Sequence, residues 1–580
     1  MYMKKIFIAL ATAALAAPAF GAARQTNYTE LDASSLVSNG LFHGNVMLAD
    51  INNDGKMEVI VKGRDLNNGW ANTLKVLYLD EAGTTLANSA DLPTIDDCNW
   101  ERILYPIDFN NDGNVDLIYA SSWGSKLLRG DGTGNFTQVE DFSLPGEMDI
   151  NDNDQEKWYT GTLCTADFNN DGYQDIVTFC GNPREDQGTP VVFFNDKGTG
   201  KFIKDETTGI APQRGGTLCV GDYNKDGNVD LLVSGWADDF GNDCVRIWKN
   251  DGTGKFSEVI VGDKAGTERG QAIFFDLTGN GLLDVFITGT SCPNGWENAA
   301  YVYKNNGNDT FTKIEAGLTG VVNSGADWCD LNGDGYIDLV YSGEESSLQN
   351  AVYAFNEGNE TFTAVSDKLG KHRGGAVVLA QDFNNNNIPD IMLMGYQDGD
   401  GAHHFQIYNG VGTRVANQAP QAPSAPVMTA SGQKVVLKWG AGSDEKASQG
   451  TGATPAEALR YNYYVKTTDG ELITAVPADP ATGKLRVGNV NAASASLTVT
   501  LNIPVEKVEE WGVQSIDGGK AVSAFAKGTI SSSSSIEGVE VSDCDAPVEY
   551  FNVQGIRVAE PSNGLYIRRQ GSKVEKVYVR

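Results

Sequence analysis

Histidine is nearly missing from this chain. His43, His372, His403 and His404 are the only four in 580 residues, and none sits in a metal-binding or triad-like motif. GxSxG elbows, phosphate loops and dinucleotide fingerprints are lacking too, so catalysis of those kinds is not expected. A carboxylate pair formed in space would leave no such trace. Positive charge is scarce: 44 Lys and Arg face 76 Asp and Glu, a formal net charge of −32. That balance disfavours nucleic acid and anionic membrane surfaces, and favours cations, neutral ligands or basic surfaces. Past the N-terminus no apolar run could span a bilayer, so no membrane insertion is expected. The eight cysteines (Cys98, Cys164, Cys180, Cys219, Cys244, Cys292, Cys329 and Cys544) form no CxxC, which argues against a zinc or thioredoxin-like motif. Cys164, Cys219 and Cys329 lie in apolar strand patterns, where a small buried thiol is the simplest reading. Helical periodicity is weak, whereas 67 glycines point to a turn-rich β protein.

At the N-terminus, Lys4 and Lys5 precede "IFIALATAALAAPAF" and the small residues of "GAAR". Residues 1–22 read as a secretory signal, which predicts an exported chain in a compartment that permits disulfides.

The body of the chain repeats. Acidic stretches begin at Asp50, Asp108, Asp167, Asp222, Asp276, Asp330 and Asp382, spaced 58, 59, 55, 54, 54 and 52 residues apart. A period of this size marks a propeller or an array. Each unit runs from an apolar strand into the acidic loop, out along a strand such as "DLLVSG", and through two more strands joined by a turn such as "DGTGKF". Four short strands make one blade, so seven units predict seven blades. The last unit lacks its fourth strand, while "NYTELDASSL" (27–36) resembles the fourth strands of other units. Residues near Tyr28 to Leu31 are therefore expected to close the ring and remove an open sheet edge.

The loops follow D-x-[DN]-x-[DN]-G-x-x-[DE]. Positions 1, 3, 5 and 9 offer side-chain oxygens, position 7 a carbonyl, and glycine at position 6 the positive φ that folds the loop round its centre. Hard oxygens in a flexible, sharply turned loop suit Ca²⁺ better than Mg²⁺. Four copies are complete: Asp108/Asn110/Asp112/Asp116, Asp167/Asn169/Asp171/Asp175, Asp222/Asn224/Asp226/Asp230 and Asp330/Asn332/Asp334/Asp338. Asp50/Asn52/Asp54/Glu58 is close to them, and Asp276/Thr278/Asn280/Asp284 has lost a charge and should bind more weakly. The seventh, with Asn386 at position 5, Asn387 at the glycine position and Pro389 before Asp390, fits an ion and an empty turn equally. A single such loop would also fit an Asx-rich turn.

These loops, their spacing and the flanking strands resemble the FG-GAP/VCBS repeats of integrin-α-like propellers, over roughly residues 27–413. The resemblance implies calcium loops on one face, between the first and second strands of each blade, with a structural role for several ions. It also implies that ligands meet the opposite, upper face. Just ahead of the first strands lie His43, Trp100, Trp158, Arg214, Arg269 and Arg373; after the second strands lie Trp70, Trp123, Trp236, Trp296 and Tyr396. Flat rings beside amides, acids and arginines suit a sugar. Trp70, Trp123, Arg214, Trp236, Arg269, Trp296 and Arg373 are thus the ligand candidates, although such tryptophans also pack between blades, and such arginines also bind carboxylates or carbonyls.

"NQAPQAPSAP" lies in a linker (414–426). Residues 427–530 alternate like a small sandwich, with Trp439, Tyr461 and Tyr463 as core candidates, and resemble a fibronectin type III-like module, a type that spaces or presents other domains. A serine run precedes a basic tail (536–580) whose "NGLYI" and "GSKVEKVYVR" resemble type IX secretion sorting domains. The expected architecture is all-β: a seven-bladed propeller, a sandwich and a small C-terminal β-domain. The expected role is a secreted or cell-surface binding protein, a monomer without enzymatic activity. Its ligand would be a glycan first or a cell-surface protein second, and the rival reading from another class is a polysaccharide-degrading enzyme.

Overall fold

The computed structural model describes residues 27–31, 41–65, 71–79, 86–91, 103–121, 124–140, 142, 144, 163–180, 189–205, 207–211, 213–236, 243–262, 266–267, 269–291, 297–345, 348–366, 368–370, 373–396, 403–411, 416–444, 452–531, 548–552, 556–570 and 573–579. The fold is all-β; among the described residues the one named helical element is a 3-10 turn, Val505–Lys507.

Seven four-stranded antiparallel sheets form the propeller. Blade one begins with Leu41–Ala49, blade two with Ile103–Ile107, blade three with Leu163–Ala166 and blade four with Arg214–Gly221. Blades five, six and seven begin with Ala272–Phe275, Val322–Cys329 and Arg373–Gln381. Asn27–Leu31 pairs antiparallel with His403–Val411, Asn27 opposite Val411. The start of the chain thus completes blade seven, and the ring closes through backbone hydrogen bonds.

The blades' cores lie between neighbouring sheets. Cys219, Leu232, Val245 and Ile247 of blade four meet Phe274, Val285, Ile287 and Tyr303 of blade five, and comparable clusters join blades two with three and seven with one. Because both faces of a blade are covered, the second strands read as continuous apolar runs rather than alternating ones. All eight residues of Asp284–Ser291 are buried. Cys164, Cys219 and Cys329 are buried in the first strands of blades three, four and six.

Residues 424–529 carry a two-sheet sandwich whose core includes Leu437, Val465, Trp511 and Val513 together with the expected Trp439, Tyr461 and Tyr463. The sandwich belongs to the same compact unit as the propeller. It does not stand off as a spacer. Ala49 bridges Val487, Gly488 N donates to Leu48 O at 3.1 Å, and Val476, Val487, Val490 and Ile516 join one apolar cluster with inner-strand residues such as Ile273 and Trp328. The buried Lys520 forms an ion pair with Asp327 at 3.0 Å and donates to Ala380 O at 2.9 Å. Residues 488–491 and Lys520 border a cavity of about 290 Å³ lined by the innermost strands.

Residues 530–580 form a separate compact unit. Its small antiparallel sheet pairs Gly564–Gln570 with Lys573–Val579 and with Val548–Phe551.

Candidate functional site

All seven acidic loops share one geometry, built from backbone amides. The first Asp accepts the position 5 amide on one oxygen and the position 6 amide on the other. For Asp108 these are Asp112 N at 3.2 Å and Gly113 N at 2.9 Å, and for Asp167 they are Asp171 N at 3.0 Å and Gly172 N at 2.7 Å. The seventh loop does the same with Asn386 N at 3.1 Å and Asn387 N at 2.7 Å on Asp382. Its Asn387 takes φ 61°, the left-handed region that glycine occupies in the other loops; asparagine is the side chain that tolerates it best. Loss of glycine has therefore not changed the loop's path.

The last acid of the loop is a strap. Asp116 accepts Phe109 N at 3.1 Å and Gly130 N at 2.8 Å; Asp230 accepts Tyr223 N at 3.2 Å and Asn250 N at 2.8 Å. Asp175, Asp284, Asp338 and Asp390 make the same two bonds, and Glu58 accepts Ile51 N at 2.9 Å. In loops two to seven one buried carboxylate thus ties the loop's start to the end of the third strand. These acids lie in a crowded, dry place. Burial, reinforced by Asp112, pushes Asp108 up to about 8, and burial with Asp108 nearby pushes Asp116 up to about 9. Burial and Asp171 raise Asp167 to about 8, and burial with Asp50 and Asp54 nearby raises Glu58 to about 8. Asp222 rises only to about 6, because burial is opposed by a hydrogen bond from Ser494.

Positions 3 and 5, which the motif offers to an ion, are engaged within the loop itself. At position 3, Asn52 Nδ2 donates to Glu58 Oε1 at 3.0 Å and Asn52 Oδ1 accepts Asp54 N at 2.9 Å. Asn110 Nδ2 donates to Asp112 Oδ2 at 2.9 Å, Asn224 Nδ2 to Asp226 Oδ2 at 2.9 Å and Asn332 Nδ2 to Asp334 Oδ2 at 3.1 Å. Asn169 Oδ1 accepts Asp171 N at 2.9 Å. At position 5, Oδ1 of Asp54, Asp112, Asp171, Asp226, Asn280 and Asp334 accepts the position 7 amide, at 2.8 to 3.0 Å. The sequence pattern treats these side chains as donors to a cation and says nothing of their bonds to one another. The physical reason for those bonds is the crowding of like charge: the nearest amide N–H groups offset it. A carboxylate or amide oxygen that accepts one such bond retains a lone pair for a cation.

Among the described residues, no three carboxylate, imidazole or thiol groups converge as a ready-made metal cage. Each loop instead mixes acids, amides and carbonyls, the donor chemistry of Ca²⁺. In loop five the hydroxyl of Thr278, at motif position 3, is buried with no partner among the described residues. The residues fit a hard cation, with positions 1, 3, 5 and 9 as its side-chain donors. Bound there, the ion would supply the charge that the clustered carboxylates lack.

Two recurring features carry no weight in the motif. Position 4 is left-handed in every loop, including Asn53 at 62°, Asn111 at 56°, Asn170 at 57° and Lys225 at 61°. In the first three loops its side chain reaches the next loop: Asn53 Nδ2 donates to Asn114 Oδ1 at 2.8 Å, Asn111 Nδ2 to Gly172 O at 3.0 Å and Asn170 Nδ2 to Asn228 Oδ1 at 2.9 Å. The second feature is an asparagine ending the third strand. Asn195 Nδ2 donates to Phe109 O at 2.8 Å, Asn250 Nδ2 to Phe168 O at 2.9 Å, Asn305 Nδ2 to Tyr223 O at 3.0 Å and Asn356 Nδ2 to Leu277 O at 2.7 Å. Each clamps its blade to the one before. The signal in the sequence was the recurring Asn of "FFND", "IWKN", "YKNN" and "AFNE".

On the upper face, Arg214 is the cross-strand partner of Trp236, and Arg373 of Tyr396. A register shift follows Arg214, where a Cβ on Gly216 would come within 2.0 Å of Ser234 O, so only glycine fits. Such a bulge re-aims the strand end. The side chains of Arg214, Trp236 and Arg373, and the whole of Trp70, Trp123 and Trp296, lie outside the described residues.

Arg269 is described, and it sits in a polar cluster between blades five and six. Its Nε donates to Asn323 Oδ1 at 2.8 Å, Asn323 Nδ2 donates to Glu344 Oε1 at 2.8 Å, and Asn298 Nδ2 donates to Glu344 O at 2.9 Å. Arg269 and Asn323 both hold left-handed backbone, at φ 54° and 51°. Local strain of this sort persists where surrounding structure over-determines it, often at binding sites. Sequence reading singled out Arg269 and missed Asn298, Asn323 and Glu344, which only the blade contact brings to it.

Four stretches match the FG-GAP-like repeat: residues 108–178, 167–233, 276–341 and 330–393. The chain is thus a β-propeller that carries FG-GAP-like repeats. It is 24% identical over 358 residues to a T-cell immunomodulatory protein homolog of Plasmodium yoelii yoelii, covering 47% of this chain and 48% of that one. The chain spans about half the length of this curated relative. Among solved structures, an Agrocybe aegerita lectin that recognises non-reducing terminal N-acetylglucosamine aligns at 20% identity and a TM-score of 0.40, over 57% of this chain and 80% of that one. A PL25 ulvan lyase aligns at 11% identity and a TM-score of 0.40, over 65% and 94%. Likeness at this level says nothing of ligand or activity. No helix among the described residues is long and apolar enough to cross a membrane.

Proposed function

We propose that this chain is an exported, calcium-braced propeller that binds a glycan on its upper face, without catalysis. The polar cluster of Arg269, Asn298, Asn323 and Glu344 carries the reading. An arginine, two amides and a carboxylate, held in place by one another, offer the mixed donors and acceptors that sugar hydroxyls need. Only Nε of the Arg269 guanidinium is bonded among the described residues, which leaves further N–H groups for a ligand. The sandwich packs against the acidic loops of the lower face, which favours the upper face for a ligand. Calcium in this reading braces the loops and takes no part in recognition.

The test is a glycan array probed with the full chain in calcium, then with Arg269→Lys and Glu344→Gln chains of unchanged melting temperature. Binding to one sugar class that both substitutions weaken supports the reading. Binding untouched by either places the site elsewhere. A blank array overturns the glycan assignment in favour of a protein partner.

A further inference from the structure

Every acidic loop is touched by the sandwich or by the segment leading into it. In loop one, Asp50 N donates to Arg486 O at 2.8 Å and Lys484 Nζ to Gly55 O at 3.0 Å. In loop two, Leu472 N donates to Asn111 O at 2.7 Å. In loop three, Asn502 N donates to Asn170 O at 2.6 Å and its Nδ2 to Asn169 O at 2.5 Å. In loop four, the Ser494 hydroxyl donates to the Asp222 carboxylate. Loop five packs Gly279 and Gly281 against Pro455 and Glu457. Loop six donates Asp330 N to Gly518 O at 2.9 Å, and in loop seven Asn387 O accepts Asn417 N at 2.8 Å.

We propose that the sandwich is a working part of the cation sites: Asn502 and Ser494 position loops three and four for calcium, so that docking of the sandwich and calcium binding favour each other. The inference rests on the calcium reading above. Asn502 grips the carbonyls of motif positions 3 and 4, one of them on the left-handed Asn170. Both contacts are made to the closed form of the loop. Ser494 is a fixed donor: it is buried, its carbonyl accepts Tyr461 N at 2.7 Å and its hydroxyl accepts Ser496 N at 2.8 Å. It meets Asp222 on Oδ2, the oxygen that also accepts Gly227 N at 2.8 Å, and so fixes that carboxylate's orientation. Like charges crowded in one loop repel one another, so a cation among them favours the closed arrangement. The sandwich and the ion select the same closed loop, and two ligands of one conformation bind cooperatively. Asn502 and Ser494 are positioning residues in this scheme and need not touch the ion.

The test is calorimetric titration of the full chain with Ca²⁺ alone, paired with proteolysis of the 414–426 segment. Ser494→Ala and Asn502→Ala should each weaken calcium binding at least about fivefold, the lower end of ordinary coupling between sites. Ser494→Thr, which keeps the hydroxyl, should restore it; a loss that only reflected disturbed packing would not be rescued. In the reciprocal arm, chelation should speed cleavage of the 414–426 segment by a similar factor. Calcium uptake that is normal in folded Ser494→Ala and Asn502→Ala chains, or cleavage indifferent to chelation, overturns this inference and leaves the calcium reading intact. No calcium uptake by the unmodified chain overturns both.

Discussion

Asn250→Ala should be among the most damaging single truncations of a polar side chain in the propeller. Asn250 is 1% exposed. Its Nδ2 donates to Phe168 O at 2.9 Å and to Val229 O at 3.0 Å, while its Oδ1 accepts Gly252 N at 3.0 Å. Alanine removes three hydrogen bonds, each worth about 1 kcal/mol net, and strands two carbonyls and an amide with little access to water. Allowing for relaxation, the expected loss is about 3 to 4 kcal/mol. The control is an exposed asparagine in the matching turn of the next blade. Asn306→Ala deletes an exposed side-chain pair with Thr312 at 2.9 Å and should cost under about 0.5 kcal/mol. Guanidinium unfolding followed by tryptophan fluorescence at fixed calcium reads both, as a shift in midpoint at constant slope. If Asn250→Ala costs no more than Asn306→Ala, the asparagines do not clamp the blades and the reasoning fails.

The structural and cation-holding roles within one loop should separate by mutation. Asp116→Ala strands the buried amides of Phe109 and Gly130 and should cost about 2 to 4 kcal/mol even in chelator. Asp112→Ala removes an ion pair with Arg129 at 3.1 Å and two solvent-accessible bonds, from Asn110 Nδ2 and Asn114 N, so it should change stability little in chelator and chiefly weaken calcium binding. Equal losses for the two in chelator would refute that division. In the chelated protein, Asp108, Asp116, Asp167 and Glu58 hold protons well above their ordinary range. Groups whose folded values are raised contribute stability at low pH that is lost as pH climbs through those values. Melting temperature in chelator should therefore fall between about pH 4 and 8, and calcium should flatten the curve; a chelated protein most stable at pH 8 would contradict it.

Local sequence determined the blade. The seven acidic stretches, their spacing and the strand patterns around them specify four short strands and a tight loop each time. Those patterns depend only on residues close in the chain: glycine or asparagine where φ is positive, acids where amides need acceptors, apolar runs where both faces are covered. Even the closing strand was legible, because Asn27–Leu31 repeats a pattern found inside the repeat. Tertiary structure alone decided three things. It placed Asn195, Asn250, Asn305 and Asn356 on carbonyls of the preceding blade, partners that no local pattern encodes. It gathered Asn298, Asn323 and Glu344 round Arg269 from two blades. And it set the sandwich against the acidic loops rather than away from them. The Pro/Ala composition of the connecting segment speaks for stiffness but says nothing of direction. Direction was decided by the apolar residues Val476, Val487, Val490 and Ile516, which bury against inner-strand residues of the ring once the blades have assembled.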